Sequence, residues 1–219
     1  MIAPTIAIVD YGLGNLFSIR RACEWAGMSP RVTEDGGEME RAEAVILPGV
    51  GAFADAMKAL ESRGLVSVLR DLAAAGKPLI GICLGQQLLM SESLEFGVHK
   101  GLGLIEGTVE RLPAGNGIKV PQVGWNKIAP SQGGDWRGGI LEGLAAGTYM
   151  YFVHSYYVRP SDPAAVLASS RFGEHDFCSA LEKGNITGCQ FHPEKSGRDG
   201  LGVYRNIARL LRQGGLDSK

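Results

Sequence analysis

The sequence has 219 residues, of which 45% are hydrophobic and 21% charged, and its net charge is −1. These values fit one globular domain and disfavour a nucleic-acid-binding protein, and no apolar stretch is long enough to cross a bilayer. The four cysteines are spaced singly, so we expect neither a disulfide framework nor a zinc site, and we expect a reducing cytoplasm as the setting.

The first half of the chain alternates predicted strands with predicted helices. Strands are predicted at residues 5–9, 31–33, 44–47 and 79–82, and helices at 15–26, 54–61 and 65–75. Gly27 and Gly76 follow two of these helices directly, which is typical of helix ends. Such alternation predicts a parallel sheet covered by helices on both faces.

The second half is richer in β-branched and aromatic residues. Strands are predicted at 108–112, 122–128, 148–158, 166–171, 177–182 and 186–191, followed by a helix at 201–212. Strands so closely spaced favour antiparallel pairing. We therefore predict one three-layer α/β domain over residues 1–219, with a mostly parallel central sheet and a more antiparallel, β-rich second half.

Cys83 follows the predicted strand 79–82 and lies between Gly81 and Gly85, and a helical pattern begins directly after it. This is the Gly-x-nucleophile-x-Gly spacing of a sharp strand-to-helix elbow, in which side chains at the glycine positions would collide. The elbow places Cys83 near a helix N-terminus, which favours the thiolate. We predict an acyl-transfer enzyme; the alternative is a buried structural cysteine.

A candidate base lies in the segment Gln-Phe-His-Pro-Glu at residues 190–194. Pro193 favours an extended conformation at His192, and residues two apart in an extended chain share a face, so Glu194 should lie near the His192 ring. A carboxylate there would fix the imidazole tautomer and stabilise the imidazolium. We predict a Cys–His–Glu triad; the alternative is a solvated turn. His154, within an aromatic strand, is expected to be hydrogen-bonded near a site rather than catalytic.

The turn at residues 48–51 also joins a predicted strand to a predicted helix. Gly49 and Gly51 on either side of Val50 permit backbone conformations, including peptide flips, that other residues resist. Its N–H groups, together with that of Leu84, are predicted to hold the oxyanion of a tetrahedral intermediate, although a plain tight turn is the alternative. The residues show no phosphate-loop, dinucleotide-binding or metal-ligand spacing, so no cofactor is expected.

Taken together, these segments resemble the triad-type glutamine amidotransferases. Residues 48–53, 120–126, 151–156 and 192–196 further resemble the glutaminase subunits of imidazole glycerol phosphate synthase, which act in histidine biosynthesis. The likeness runs over nearly the whole chain. It implies that Cys83 attacks the side-chain amide of glutamine, forming a thioester and releasing ammonia, while His192 transfers protons and Glu194 orients it.

The resemblance also assigns the substrate pocket and a partner. Gln87 and Glu95 would hold the polar ends of glutamine, with Ser155 and Tyr156 lining the same pocket. The partner would be a (β/α)₈-barrel cyclase that forms a heterodimer, receives ammonia through a channel and makes imidazole glycerol phosphate and AICAR. Positions that match its interface or channel are Asn15, Trp125, Tyr151 and Lys195.

Two residues depart from the family's usual pattern: Gln86 stands where methionine is usual, and Gln122 where histidine is frequent. Neither belongs to the predicted triad. Two other functions stay open at this stage. One is a related glutaminase serving another synthase, such as one that amidates a sugar, and the other is a non-catalytic binding subunit with the same fold.

Overall fold

The computed structural model describes residues 2–115, 119–131 and 134–214, so both ends of the domain predicted over 1–219 lie outside it. The strands are β1 Thr5–Val9, β2 Ser29–Thr33, β3 Ala44–Leu47, β4 Leu79–Ile82, β5 Met90–Ser93, β6 His99–Lys100, β7 Ile105–Arg111, β8 Gln122–Pro130, β9 Thr148–His154, β10 Tyr156–Pro160, β11 Val166–Phe172, β12 His175–Lys183 and β13 Ile186–Cys189. The helices are α1 Leu16–Trp25, α2 Gly36–Arg41, α3 Phe53–Ser62, α4 Leu65–Ala74, α5 Leu84–Leu88 and α6 Gly197–Arg212.

The described strands form one mixed sheet. Its main path runs β2-β1-β3-β4-β13-β12-β10-β7-β5-β6, while β11 pairs with β12 and β8, and β8 pairs with β9. The pairs among β2, β1, β3, β4 and β13 are parallel, whereas most pairs from β12 onward are antiparallel. The predicted α/β fold, with a parallel first half and a more antiparallel second half, is confirmed.

Helices cover both faces of the parallel half because alternate residues of a strand point to opposite faces. In β1, Ile6 and Ile8 belong to a core that includes residues of α1 and α6. Ala7 and Val9 belong to a second core that includes residues of α3 and α4. Two hydrophobic cores therefore lie against one sheet, which gives the three predicted layers.

Three neighbouring parallel strands, β3, β4 and β13, place the segments with the predicted catalytic residues at one edge of the sheet. Leu47 of β3 pairs with Gly81 of β4, and Ile82 of β4 pairs with Cys189 of β13. The segments that leave these strands at their carboxyl ends therefore emerge side by side, at the edge where open α/β sheets bind their ligands. They are the turn at 48–51, Cys83 and His192.

Some predicted boundaries were wrong. The single strand expected at 148–158 is two strands, β9 and β10, which are separated at Ser155. The last strand ends at Cys189 rather than at 191, and α2, β5 and β6 were missed. The missed helix α2 does carry a start signal, because the Asp35 carboxylate accepts a hydrogen bond from the N–H of Glu38 at 2.7 Å.

Candidate active site

The elbow around Cys83 has the strained geometry that its glycines suggest. Cys83 has φ 56° and ψ −111°, a left-handed region that residues with side chains rarely adopt. A Cβ on Gly81 would lie 2.7 Å from the backbone of Gln86, and one on Gly85 would lie 1.8 Å from the carbonyl oxygen of Leu47. Glycine is therefore required on both sides of the cysteine. Strain held at a single position in this way is typical of functional sites.

His192 and Glu194 form a buried pair. Nδ1 of His192 lies 2.8 Å from Oε1 of Glu194, and the two side chains are 3% and 0% exposed. Burial by itself lowers the pKa of His192, but its interactions with Cys83 and Glu194 outweigh burial and raise that pKa to about 10. These interactions therefore favour the protonated ring. Its Nε2 makes no hydrogen bond with the described residues, which leaves that nitrogen for proton transfer.

Glu194 reaches the ring by a different backbone path from the one expected. His192 is extended, with φ −102° and ψ 95°, but Pro193–Lys195 forms a turn of 3₁₀ helix rather than continuing the extended chain. Ser196 then fixes the segment, because its Oγ donates to the His192 carbonyl at 2.6 Å and accepts from the N–H of Tyr151 at 2.9 Å. These two bonds connect the His192 segment to β9.

A cavity of about 320 Å³ opens at this edge of the sheet. Its lining residues are Val50, Gly51, Cys83, Leu84, Gln87, Glu95, Pro121, Val153, His154, Ser155, Tyr156 and His192. The structure thus brings the four predicted substrate residues to one cavity with the predicted nucleophile, the predicted base and most of the predicted oxyanion segment. Gly49 is buried and does not line the cavity. The predicted interface residues Asn15, Trp125, Tyr151 and Lys195 also lie outside the lining, but they are half-buried or exposed.

Glu95 has one carboxylate oxygen already engaged. Its Oε2 accepts a hydrogen bond at 2.5 Å from the N–H of Phe53, the first residue of α3. Since the preceding residue, Ala52, has no side chain able to cap the helix, Glu95 supplies the cap from outside. The carboxylate therefore connects this cavity to the segment that follows the turn at 48–51.

Tyr11 is a structural support of that turn which sequence reasoning missed. Its hydroxyl is buried and donates to the Pro48 carbonyl at 2.7 Å, and a Cβ on Gly49 would lie 2.6 Å from it. Burial raises the pKa of Tyr11 well above its usual value, so the hydroxyl keeps its proton. No local sequence signal links two residues that are 37 positions apart.

Gln190 was also missed, although it is completely buried beside Cys83. Its Oε1 accepts from Nε2 of Gln87 at 2.9 Å, and its own Nε2 donates to Sγ of Cys83 at 3.8 Å. A signal was present, since Gln190 lies two positions before His192 and leaves the same strand.

His154 lies in the cavity wall between the Tyr156 carbonyl and the Gln122 side-chain amide. Its Nδ1 is 2.9 Å from the Tyr156 carbonyl oxygen, and its Nε2 is 3.1 Å from the side-chain amide of Gln122. Burial lowers the pKa of His154 to about 4, so the ring is neutral. Because a carbonyl can only accept, the proton sits on Nδ1, and Gln122 must present its N–H group to Nε2.

The neutral state of His154 makes folding stability depend on pH. A histidine whose folded pKa is depressed stabilises the fold above pH 6.5, and that contribution is lost as pH falls toward 4. We expect the His154→Asn variant to lose less stability than the wild type on acidification, by about 3 kcal/mol between pH 7 and pH 4. Urea unfolding at several pH values measures this difference. The same change in the free energy of unfolding with pH in the two proteins would contradict the prediction.

The described part of the chain holds no group of three His, Cys, Asp or Glu side chains arranged to bind a metal ion. Within the same residues, no helix has the length and apolar character needed to span a membrane. Cys23, Cys178 and Cys189 are free, buried and packed as small hydrophobic residues.

The chain is similar to known proteins over nearly its whole length. The family model of class-I glutamine amidotransferases matches residues 7–208. The chain is 49% identical over 210 residues to the imidazole glycerol phosphate synthase subunit HisH of Moorella thermoacetica, covering 96% of this chain and 97% of the relative. It is 46% identical over 203 residues to the subunit of the same name from Aquifex aeolicus, covering 92% and 95%.

Solved structures share the fold at lower identity. PurLQS from Thermotoga maritima superposes with a TM-score of 0.72 at 20% identity, covering 94% of this chain and 98% of that chain. A crystal structure of a glutamine amidotransferase superposes with a TM-score of 0.70 at 22% identity, covering 92% of this chain and 97% of that chain. At these identities the likeness concerns the fold alone.

Proposed function

The chain belongs to the class-I glutamine amidotransferases and, among them, to the HisH subunits of imidazole glycerol phosphate synthase, and we propose that Cys83, His192 and Glu194 perform its glutamine hydrolysis. The enzyme is thus the glutaminase subunit of a synthase in histidine biosynthesis. The observation that carries the assignment of roles is the buried His192–Glu194 pair in the wall of a cavity that also holds Cys83. A sugar-amidating relative is not favoured, because the HisH likeness extends over nearly the entire chain.

In the first half-reaction, the Cys83 thiolate attacks the side-chain carbonyl carbon of glutamine. The N–H of Leu84 and the Gly49–Val50 peptide stabilise the negative oxygen of the tetrahedral intermediate. The His192 imidazolium then gives its proton to the leaving nitrogen, so the C–N bond breaks, ammonia departs and a Cys83 thioester remains. Glu194 holds the ring in position through Nδ1.

In the second half-reaction, neutral His192 removes a proton from a water molecule that attacks the thioester. The C–S bond breaks, glutamate leaves, and the thiolate and imidazolium are restored. Glu95 would attract the substrate's α-ammonium group through its remaining carboxylate oxygen. Both N–H groups of the Gln87 side chain donate within the protein, to Tyr156 and to Gln190, so its Oε1 atom is the one that can accept a hydrogen bond from the substrate. Ser155 and Tyr156 complete the wall of the pocket.

The complex with a cyclase follows from the HisH relationship, and we propose the paired strands β8 and β9 as the docking face. This face is unusually apolar for an exposed surface, and Val123 lies directly opposite Val153. Its exposed apolar residues are Val123, Trp125, Tyr149 and Val153. Val153 also lines the substrate cavity, so a partner bound here would lie next to the point where ammonia is released.

We propose that this partner is a (β/α)₈ barrel, and that Asn15, Tyr151 and Lys195 lie at its interface or channel. Nζ of Lys195 lies 5.9 Å from the centre of the Tyr151 ring, and that ring packs edge-on against Trp125 at 6.1 Å. A near-zero net charge gives no reason to expect nucleic acid or a membrane as a partner. Four free, buried cysteines suit a reducing compartment, for which we propose the cytoplasm.

The test of the proposed function is glutamate release from glutamine, measured for the chain alone, with the cyclase, and with the cyclase plus a ribonucleotide substrate analogue. Low activity that rises steeply in the last mixture is the expected result. Equal activity in the three mixtures would leave a glutaminase without coupling to the histidine pathway. No activity in any mixture would overturn the catalytic assignment.

Trp125 tests the docking face. Because it is 56% exposed, Trp125→Ala should leave the stability of the chain nearly unchanged, yet weaken cyclase binding by about tenfold to a hundredfold. Trp25 is a matched control, since it is 53% exposed but lies on α1 beneath Arg205. Calorimetric titration of the cyclase measures both variants, and equal weakening by the two would count against the proposed face.

A further inference from the structure

We propose that Gln190 is a catalytic residue, whose side-chain N–H donates a hydrogen bond to Sγ of Cys83 and stabilises negative charge on the sulfur before it attacks. The inference rests on the proposed function, since it takes Cys83 to be the nucleophile. It adds a fourth member to the Cys–His–Glu group, and it concerns the reactivity of the sulfur rather than the recognition of glutamine.

The orientation of the Gln190 amide follows from a chain of hydrogen bonds that begins at the backbone. The carbonyl oxygen of Tyr156 can only accept, so Gln87, which lies 2.9 Å away, must present its Nε2. The same nitrogen lies 2.9 Å from Gln190, so Gln190 must present its Oε1 to Gln87. The Nε2 of Gln190 is then the atom left to face Cys83, at 3.8 Å from the sulfur.

Burial makes this hydrogen bond important for the charge on the sulfur. Gln190 is 0% exposed and Cys83 is 6% exposed, so bulk water has little access to the sulfur from this side. A thiolate in such surroundings is costly unless protein groups donate to it. The His192 imidazolium supplies charge and Gln190 supplies a fixed N–H dipole. The backbone N–H of Gln190 donates to the Ser179 carbonyl at 2.9 Å, which holds the residue in register with the neighbouring strand.

The test compares two buried glutamines that differ in this one contact. Gln86 is also 0% exposed and lies on the helix that follows Cys83, but neither atom of its side-chain amide makes a hydrogen bond with the described residues. Gln190→Met and Gln86→Met remove the same amide from the same kind of environment. The first readout is the rate of Cys83 alkylation by iodoacetamide at pH 7, measured on the full chain alone. The second is glutamate release by the complex with the cyclase.

We expect Gln190→Met to slow alkylation about tenfold or more, because a hydrogen bond to a charged group contributes that much. The kcat of glutamate release should fall by a similar factor with KM nearly unchanged, while Gln86→Met stays within about twofold of the wild type in both assays. Alkylation of Gln190→Met at the Gln86→Met rate would overturn the proposal.

A second variant keeps the test decisive if Gln190→Met does not fold. Gln87→Met leaves Gln190 in place but removes the donor that orients its amide, so alkylation should again slow several-fold although Gln87 makes no bond to the sulfur. Iodoacetamide lacks the amino-acid end of glutamine, so this effect is separate from substrate binding. An unchanged rate in Gln87→Met would overturn the proposal. Failure of glutamate release by the wild-type complex would instead refute the proposed function, and the alkylation rates would still report on Gln190.

Discussion

Replacing Cys83 by alanine is expected to abolish glutamine hydrolysis, while the chain still folds and binds its partner. The substitution removes the nucleophilic sulfur, and the loss of a nucleophile lowers kcat by a factor on the order of 10⁴ or more. The backbone should tolerate the change, because alanine at φ 56° carries about the same strain as the cysteine it replaces. The other catalytic groups stay in place but have no atom to activate.

Glutamate release in the presence of the cyclase and its ligand measures this effect, and thermal unfolding and calorimetry check folding and binding. Cys23→Ala is the matched control, since Cys23 is buried in α1 and has no part in the proposed chemistry. It should keep its turnover. Near-wild-type turnover in Cys83→Ala would refute the role of Cys83, and loss of partner binding would count against the separation of catalysis from docking.

Gly85→Ala should have the largest effect on stability, at about 3 kcal/mol or more. The added Cβ would lie 1.8 Å from the carbonyl oxygen of Leu47, a backbone atom at the carboxyl end of β3, where β3 pairs with β4. A flexible side chain could move aside, but this oxygen cannot move without disturbing the pairing of β3 with β4. We therefore expect the elbow to open and activity to disappear together with the native fold.

Gly202→Ala is the control for this substitution. Gly202 lies inside α6, and a Cβ there would meet only the end of Arg205 at 3.8 Å and Leu144 at 4.0 Å, which are ordinary contacts. Alanine should even stabilise the helix by roughly 0.5–1 kcal/mol. Urea unfolding of both variants measures the contrast. Comparable stability of Gly85→Ala and the wild type would mean that the elbow is not as tightly packed as its contacts indicate.

Much of the parallel half could be predicted from the sequence because its strands are short apolar runs bounded by turn residues. The predicted bounds of β1, β3 and β4 match the structure. The separation of β9 from β10 at Ser155 has no such signal, since aromatic residues continue on both sides. Strands β5 and β6 are short and carry polar residues, so their pairing within the sheet rather than their composition makes them strands.

The residues of the candidate site likewise fall into those that have a local sequence signal and those that have none. Cys83 could be found from its flanking glycines, and His192 with Glu194 from the proline between them, because each signal is local. The contacts of Tyr11 with Pro48 and of Gln190 with Cys83 join residues 37 and 107 positions apart, so they depend on the order of strands in the sheet. The expected roles of Glu95 and Trp125 came from family resemblance and not from any periodicity.

The place of β13 in the sheet has a consequence for how the protein is made. In chain order this strand follows every other described strand, yet it lies between β4 and β12 and joins the parallel half to the antiparallel half. On the ribosome, Cys83 emerges more than a hundred residues before His192, and the two cannot meet until residues 186–192 have emerged. A chain that stops short of β13 would leave two unpaired strand edges in place of an active site, the kind of surface that chaperones and proteases recognise. Cys83 and His192 can therefore come together only after β13 has paired with both halves of the sheet.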